Sequence, residues 1–204
     1  MENIKWLFFD LGSTLIDETE CYKSRIDYIV QNNNIDRAKF VSKVYECAKT
    51  SAVAISSAAI CYGFAVPPWN NDLEKLYPSS ENILQTLSKK YKLGVIANQA
   101  FGTMERLEKW GIGKYFNTVV ASAEAGVAKP DLKIFKMAFE AAGCNPREAV
   151  MIGDRLDNDI APAKKLGMKT VWVRQGFAVH QNICDNSQKP DYIIESIENI
   201  LDIF

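Results

Sequence analysis

Six short apolar runs recur along the 204-residue chain, at residues 5–9, 93–97, 118–121, 149–152, 170–173 and 192–194, most of them rich in β-branched or aromatic side chains. Apolar runs this short, bounded by turn residues, read as buried strands. Between most of them lie amphipathic stretches of helical length, at 80–91, 103–110, 132–142 and 160–166. Strand–helix alternation of this kind predicts parallel βαβ units, with helices covering both faces of one sheet. The punctuation agrees: Gly143 and Gly167 follow helical runs, and Gly153 closes a strand.

The alternation breaks between about residue 17 and residue 76. That region holds no clear strand but three helical segments, at 19–31, 37–50 and 52–62, and Pro67, Pro68 and Pro78 mark its exit. The pattern predicts an α/β core assembled from residues 1–16 and 77–204, with an all-helical module of residues 17–76 inserted after the first strand. The Ala- and Ser-rich start of the third helix favours close helix packing inside that module.

Chemistry enters at the strand ends. The first run stops at Asp10, followed by Leu11, Gly12, Ser13 and Thr14. The carboxyl ends of strands are where open α/β sheets place their ligands. The run at 149–152 ends likewise in Gly153 and Asp154, with Asp159 five residues on. Helix-capping explains an Asp at 157 or 159 taken alone, but it explains a carboxylate at the strand end less well. Carboxylates gathered at one sheet edge repel one another unless a cation sits among them, and a hard divalent ion with oxygen ligands resolves this. Lys129 precedes Pro130 ahead of a helix. In isolation it reads as a surface lysine, but at the same edge its ammonium would neutralise a phosphate and a carboxylate together.

Together these residues resemble the haloacid dehalogenase-like hydrolase superfamily over essentially the whole chain. The family pattern is DxDx[TV] after the first strand, Ser or Thr after the second, Lys before a helix, and GDxxxxD after the fourth. Here the positions are Asp10-Leu11-Gly12-Ser13-Thr14, Ile96-Ala97-Asn98, Lys129-Pro130 and Gly153-Asp154 to Asp159. The resemblance implies a Rossmann-like core with an α-helical cap and Mg²⁺ as cofactor. It implies Asp10 as nucleophile and metal ligand, Asp154 as the second metal carboxylate, and Asp159 as a ligand through water or an orienting group. It further implies a metal-binding backbone carbonyl at Gly12, and Lys129 screening charge between Asp10 and phosphate. Ser13 and Asn98 are the remaining candidates for binding phosphate oxygens.

Two positions depart from the family pattern. Gly12 stands where the phosphatases usually carry a second Asp as general acid and base, and losing such a group typically costs about 10²–10⁴-fold. Turnover without it should favour leaving groups that depart as stable anions; the nearest spare acids are Asp17, Glu18 and Glu20. Ala97 stands where a Ser or Thr hydroxyl would bind phosphate. The leading function is therefore a phosphatase of a small phosphorylated metabolite, weakened by these two changes. A non-catalytic protein that binds a phosphorylated ligand or a partner is the alternative. A 2-haloacid dehalogenase is disfavoured, because that branch needs no metal and carries Tyr at the position of Gly12.

Composition adds exclusions. A net charge of -1 gives no electrostatic reason to expect nucleic acid or an anionic membrane as partner. No apolar stretch approaches the length of a membrane span, and the first residues lack a signal-peptide pattern, so the expected location is the cytoplasm. Five cysteines without metal-like spacing read as free thiols. His180, the single histidine, lies in a polar loop and reads as a surface residue. Trp69, at the exit of the helical module, reads as packing between the two parts. Neither substrate nor oligomeric state is encoded legibly.

Overall fold

The computed structural model describes residues 3–50 and 53–204. Strand β1 (Trp6–Phe9) lies at the centre of a six-stranded sheet. The remaining sheet strands are β4 (Lys92–Ala97), β5 (Phe116–Ala121), β6 (Ala149–Gly153), β7 (Lys169–Val173) and β8 (Tyr192–Ile194), ordered β5-β4-β1-β6-β7-β8. Every pairing in this sheet is parallel. Successive residues of a strand point to opposite faces. Leu7 and Phe9 accordingly enter one apolar cluster and Trp6 and Phe8 the other. All four are buried, and burying a Phe side chain stabilises by roughly 1.5–3 kcal/mol.

Helices cover both faces, as the alternation predicted. Helix α4 (Ser80–Leu87) brings Ile83, Leu84 and Leu87 against the Leu7–Phe9 face, and Leu107 of α5 (Thr103–Lys109) joins them. On the other face α7 (Leu132–Ala142) contributes Ile134, Phe135, Ala138 and Phe139, with Ala163 from α8 (Ala161–Lys165). Helix α7 starts at the expected residue: the Asp131 carboxylate accepts from the Lys133 amide at 2.8 Å, and Gly143 closes the helix at φ +61°. A four-residue helix, α6 (Ser122–Ala125), follows β5 and was not visible in the pattern.

Between β1 and α4 stand three helices, α1 (Thr19–Asn33), α2 (Arg37–Ala48) and α3 (Ala54–Cys61). Part of the expected third helix, residue 52, lies outside the described residues. These helices share an apolar cluster of their own, with Ile29, Phe40, Val44 and Ala58 fully buried. Ala54, Ala58 and Ala59 form the small-residue side of α3 in that cluster. The chain enters and leaves this helical layer through a two-stranded antiparallel ribbon, β2 (Ile16–Asp17) against β3 (Lys75–Leu76). Two-residue strands carry no periodicity, so the ribbon was invisible in the sequence. Phe177, from the loop after β7, inserts into the helical cluster and meets Tyr22 and Tyr45 edge-on at 4.9 and 5.9 Å. His180 lies exposed, edge-on to Tyr45 at 4.9 Å. All five cysteines are unbridged. Among the described residues no helix is long and apolar enough to cross a membrane.

Candidate active site

Strand register brings the acidic residues together. Phe9 of β1 pairs with Ile152 of β6, and the Asp10 amide donates to the Ile152 carbonyl at 2.9 Å. Asp10 and Asp154 therefore leave the sheet side by side. The chain then makes a wide turn through residues Leu156–Ile160, which carries Asp159 back beneath them. One oxygen from each of Asp10, Asp154 and Asp159 lies within 4.8 Å of the others. Gly153 makes this approach possible. A Cβ there would stand 2.4 Å from Asp159 Oδ2 and 2.5 Å from its Cγ, so any side chain would expel the aspartate.

Lys129 comes from the loop between α6 and α7. Its Nζ lies 2.8 Å from Asp10 Oδ1 and 2.6 Å from Asp159 Oδ1. It is no surface lysine, being only 4% exposed, with Asp154 at 4%, Asp10 at 7% and Asp159 at 0%. Asp159 spends its second oxygen on the Arg155 amide, at 3.0 Å, so both its oxygens are committed within the protein. Asp154 differs: its Oδ1 is buried without a hydrogen-bond partner among the described residues, while its carbonyl accepts from Trp172 Nε1 at 2.6 Å. A buried carboxylate left unpaired is costly, and this oxygen is where a cation fits.

The electrostatics follow from burial and crowding. Burial, then the charges of Asp10 and Asp159, push the Asp154 carboxyl well above the usual carboxylate range. Burial raises Asp159 to about 6, against the opposing pull of Lys129. For Lys129, burial favours the neutral amine, but Asp10 and Asp159 outweigh it and hold the ammonium above its ordinary range. Three carboxylates against one ammonium leave a deficit of positive charge that suits a divalent ion.

Asn98 and Ser13 stand at the same edge, each with a partner inside the protein. The Asn98 amide clasps the Lys129 backbone, accepting from its N–H at 2.7 Å and donating to its carbonyl at 2.9 Å. Ser13 is held at φ +53°, in the left-handed region. Its hydroxyl donates to Glu18 Oε2 at 2.9 Å and lies 3.1 Å from the Tyr22 hydroxyl. Ala97 is fully buried in the apolar cluster under the sheet. Above these residues opens a cleft of about 580 Å³, walled by Asp10, Lys129 and Asp154 below and by Tyr22, Ile55 and Trp69 of the helical layer. Trp69 faces this cleft while also packing edge-on to Tyr22, at 5.4 Å, and its Nε1 donates to Glu74 at 2.7 Å.

Glu18 is the residue that sequence reasoning left unresolved. Of the three spare acids, Asp17 accepts from the Thr19 amide at 2.9 Å, and Glu20 is exposed beside Lys23. Glu18 alone turns into the cleft, held by the hydroxyls of Ser13 and Tyr22. Burial raises its carboxyl to about 7, opposed by those two hydroxyls and reinforced by the Asp10 charge. No residue pattern announces this, because the contact depends on the tight loop between Gly12 and Ile16.

A parallel sheet that gathers three aspartates and a lysine beneath an open cleft defines an α/β protein with a buried, charged centre at the carboxyl edge of its sheet. The family model of haloacid dehalogenase-like hydrolases matches residues 7–173, and the chain belongs to that family. It is 37% identical over 131 residues to a glyceraldehyde 3-phosphate phosphatase of Methanopyrus kandleri, a stretch covering 63% of this chain and 56% of that protein. This chain thus spans about half the length of that relative. A glyceraldehyde 3-phosphate phosphatase of Pyrococcus furiosus is 28% identical over 229 residues, covering 100% of this chain and 94% of that one. In fold the chain is similar to a predicted phosphoglycolate phosphatase from Haemophilus somnus, with a TM-score of 0.72 at 21% identity, covering 100% and 99% of the two chains.

Proposed function

We propose that this protein is a Mg²⁺-dependent phosphatase of a small phosphorylated metabolite, working through an aspartyl-phosphate on Asp10. The observation that carries this reading is the buried cluster itself, in which Lys129 braces Asp10 while one oxygen of Asp154 goes unpartnered. Asp10 attacks phosphorus, and Lys129 screens the approach of one anion to another. Asp159 and Asn98 keep the ammonium in place. Asp10, Asp154 and the Gly12 carbonyl would hold Mg²⁺, with Asp159 behind them; when bound, the ion supplies further neutralisation of the phosphoryl charge. Residues 17–76 act as a cap over the core of residues 1–16 and 77–204, and supply contacts to the leaving group. A halide-displacing reading leaves the Asp154 and Asp159 carboxylates unexplained. The relatives named as glyceraldehyde 3-phosphate phosphatases support a small phosphate ester as substrate.

The test is a screen of phosphorylated metabolites with Mg²⁺, run beside Asp10→Asn. Release of phosphate by the wild type alone is expected. No release from any ester, with phosphate and Mg²⁺ still bound, would hand the site to a non-catalytic binder.

The metal has a second, activity-free readout. Asp159 and Glu18 have folded values of about 6 and about 7 against 3.8 and 4.5 unfolded, and Asp154 is raised as well. Groups raised in this way stabilise the fold fully below their unfolded values, and that contribution is lost as pH rises through the folded ones. Metal-free protein should therefore melt higher at pH 5 than at pH 8, Glu18 alone accounting for about 3 kcal/mol. Millimolar Mg²⁺ should narrow the gap by raising the melt at pH 8. Identical melts with EDTA and with Mg²⁺ at pH 8 would sink the metal site.

A further inference from the structure

Gly12 removes the side chain that the family uses to move protons, yet the space it vacates is filled. A Cβ built on Gly12 would stand 2.4 Å from Glu18 Oε1, 2.9 Å from its Cδ and 3.0 Å from Oε2. The whole carboxyl group of Glu18 thus occupies the place where a side chain of residue 12 would begin. The two are mutually exclusive in this arrangement, so the glycine is what admits the glutamate. Both Gly12 and Glu18 wall the cleft that holds Asp10.

The carboxyl group is also oriented. Glu18 Oε2 accepts from the Tyr22 hydroxyl at 2.5 Å, one turn along α1, and from the Ser13 hydroxyl at 2.9 Å. Tyr22 is fixed in turn by Trp69 and Phe177, edge-on at 5.4 and 4.9 Å. Neither hydroxyl reaches Oε1, the oxygen nearest the vacant Cβ position. With Oε2 saturated by donors, Oε1 is the oxygen left to carry and deliver a proton.

We propose that Glu18 is the general acid and base of this site, relocated from residue 12 to the residue that precedes α1, with Gly12 as the vacancy that lets it in. The inference rests on the phosphatase reading. In the first step an Asp10 oxygen bonds to phosphorus as the ester P–O bond breaks. The leaving oxygen takes the Glu18 proton and departs as a neutral alcohol, which leaves Glu18 ionised. In the second step water bonds to phosphorus and gives a proton to Glu18 as the Asp10–phosphorus bond breaks. Inorganic phosphate, the Asp10 carboxylate and the Glu18 acid are the products, so the cycle closes. A strut that merely ties Ser13 to Tyr22 would require no vacancy at residue 12.

This inference reverses the dependence on leaving group that Gly12 suggests on its own. Wild type should release an alkyl alcohol and a nitrophenolate in the first turnover at rates within about tenfold, the reacting acid making up for the poorer leaving group. Glu18→Gln should slow first-turnover release of the alcohol by about 10²–10⁴-fold, and that of nitrophenolate, which needs no proton, by less than about tenfold. Gly12 is outside the left-handed region, so Gly12→Asp is sterically open once Glu18 is shortened. The pair Gly12→Asp with Glu18→Ala should accordingly recover alkyl-ester cleavage at least about tenfold over Glu18→Ala alone. Equal slowing of both substrates by Glu18→Gln, or no slowing of the alkyl ester, overturns the assignment. So does a relocated pair that cleaves the aryl ester and recovers no alkyl cleavage. If wild type releases nothing from either ester in the presence of Mg²⁺, the phosphatase reading itself falls, and this inference falls with it.

Discussion

Asp10→Asn is expected to lower kcat for phosphate release by on the order of 10⁴–10⁶, the scale seen when a nucleophile is removed, while leaving the fold at least as stable as wild type. The two halves of this expectation have different causes. Activity fails because a neutral amide oxygen is a poor nucleophile, and the neighbouring carboxylates are not placed to replace it. Asp159 uses both oxygens on Lys129 and Arg155, and the one uncommitted oxygen of Asp154 is buried and is the prospective cation ligand. Stability survives because the substitution removes one of three crowded negative charges, while Lys129 keeps its 2.6 Å partner in Asp159. Active sites commonly hold such unfavourable arrangements, and relieving them raises stability as function is lost. Parallel measurement of kcat and of chemical denaturation checks both. Residual activity within tenfold of wild type would remove Asp10 from the nucleophile's role. Retained inactivity with several kcal/mol of lost stability would mean that Asp10 is chiefly a structural partner of Lys129.

What the sequence made legible was whatever local pattern encodes. The strands β1, β4, β6 and β7 are continuous apolar runs, so their buried character and their carboxyl ends were visible, and with them Asp10 and Asp154. Helix α7 was readable to the residue because a sustained amphipathic run lies between Pro130 and Gly143. Contacts made by the path of the chain were not legible. The β2–β3 ribbon is two residues long on each side, too short for any period. Asn98 read as a phosphate donor because its neighbour Ala97 lacks a hydroxyl, and nothing in the sequence told that its amide also holds the Lys129 main chain across 31 positions. Glu18 was noticed as one of three nearby acids, but choosing among them required knowing which side chain the loop after Asp10 turns inward. A missing Cβ is a fact about space, and spacing along a sequence does not report it.

Lys129→Met is the second large effect, and it should fall on stability and turnover together. Methionine matches the apolar stem of lysine but brings no charge, so Asp10 and Asp159 lose the ammonium at 2.8 and 2.6 Å and face each other and Asp154 unscreened. Breaking a buried ion pair by removing one partner costs about 3–5 kcal/mol, which for a chain of this size lowers Tm by roughly 6–20 °C. Because the groups are buried, added monovalent salt should rescue little of this. Protons should rescue much more. Without Lys129, the carboxyl of Asp159 rises further above the value of about 6 that it has in the wild type. The protonated, neutral cluster is then the stable form at low pH, and stability is lost as pH rises through the new value. The variant should thus lie close to wild type at pH 5 and fall well below it at pH 8. Mg²⁺ should restore part of the stability at pH 8, since a divalent ion among the same oxygens replaces the missing charge. On the proposed mechanism it should restore little turnover, because the ammonium assigned to screening Asp10 from the incoming phosphate is still absent. Denaturation curves at pH 5 and pH 8, each with and without Mg²⁺, separate these effects. A loss of stability that is the same at both pH values would show that Lys129 matters here as packed volume, and that its charge contributes nothing to holding the three aspartates together.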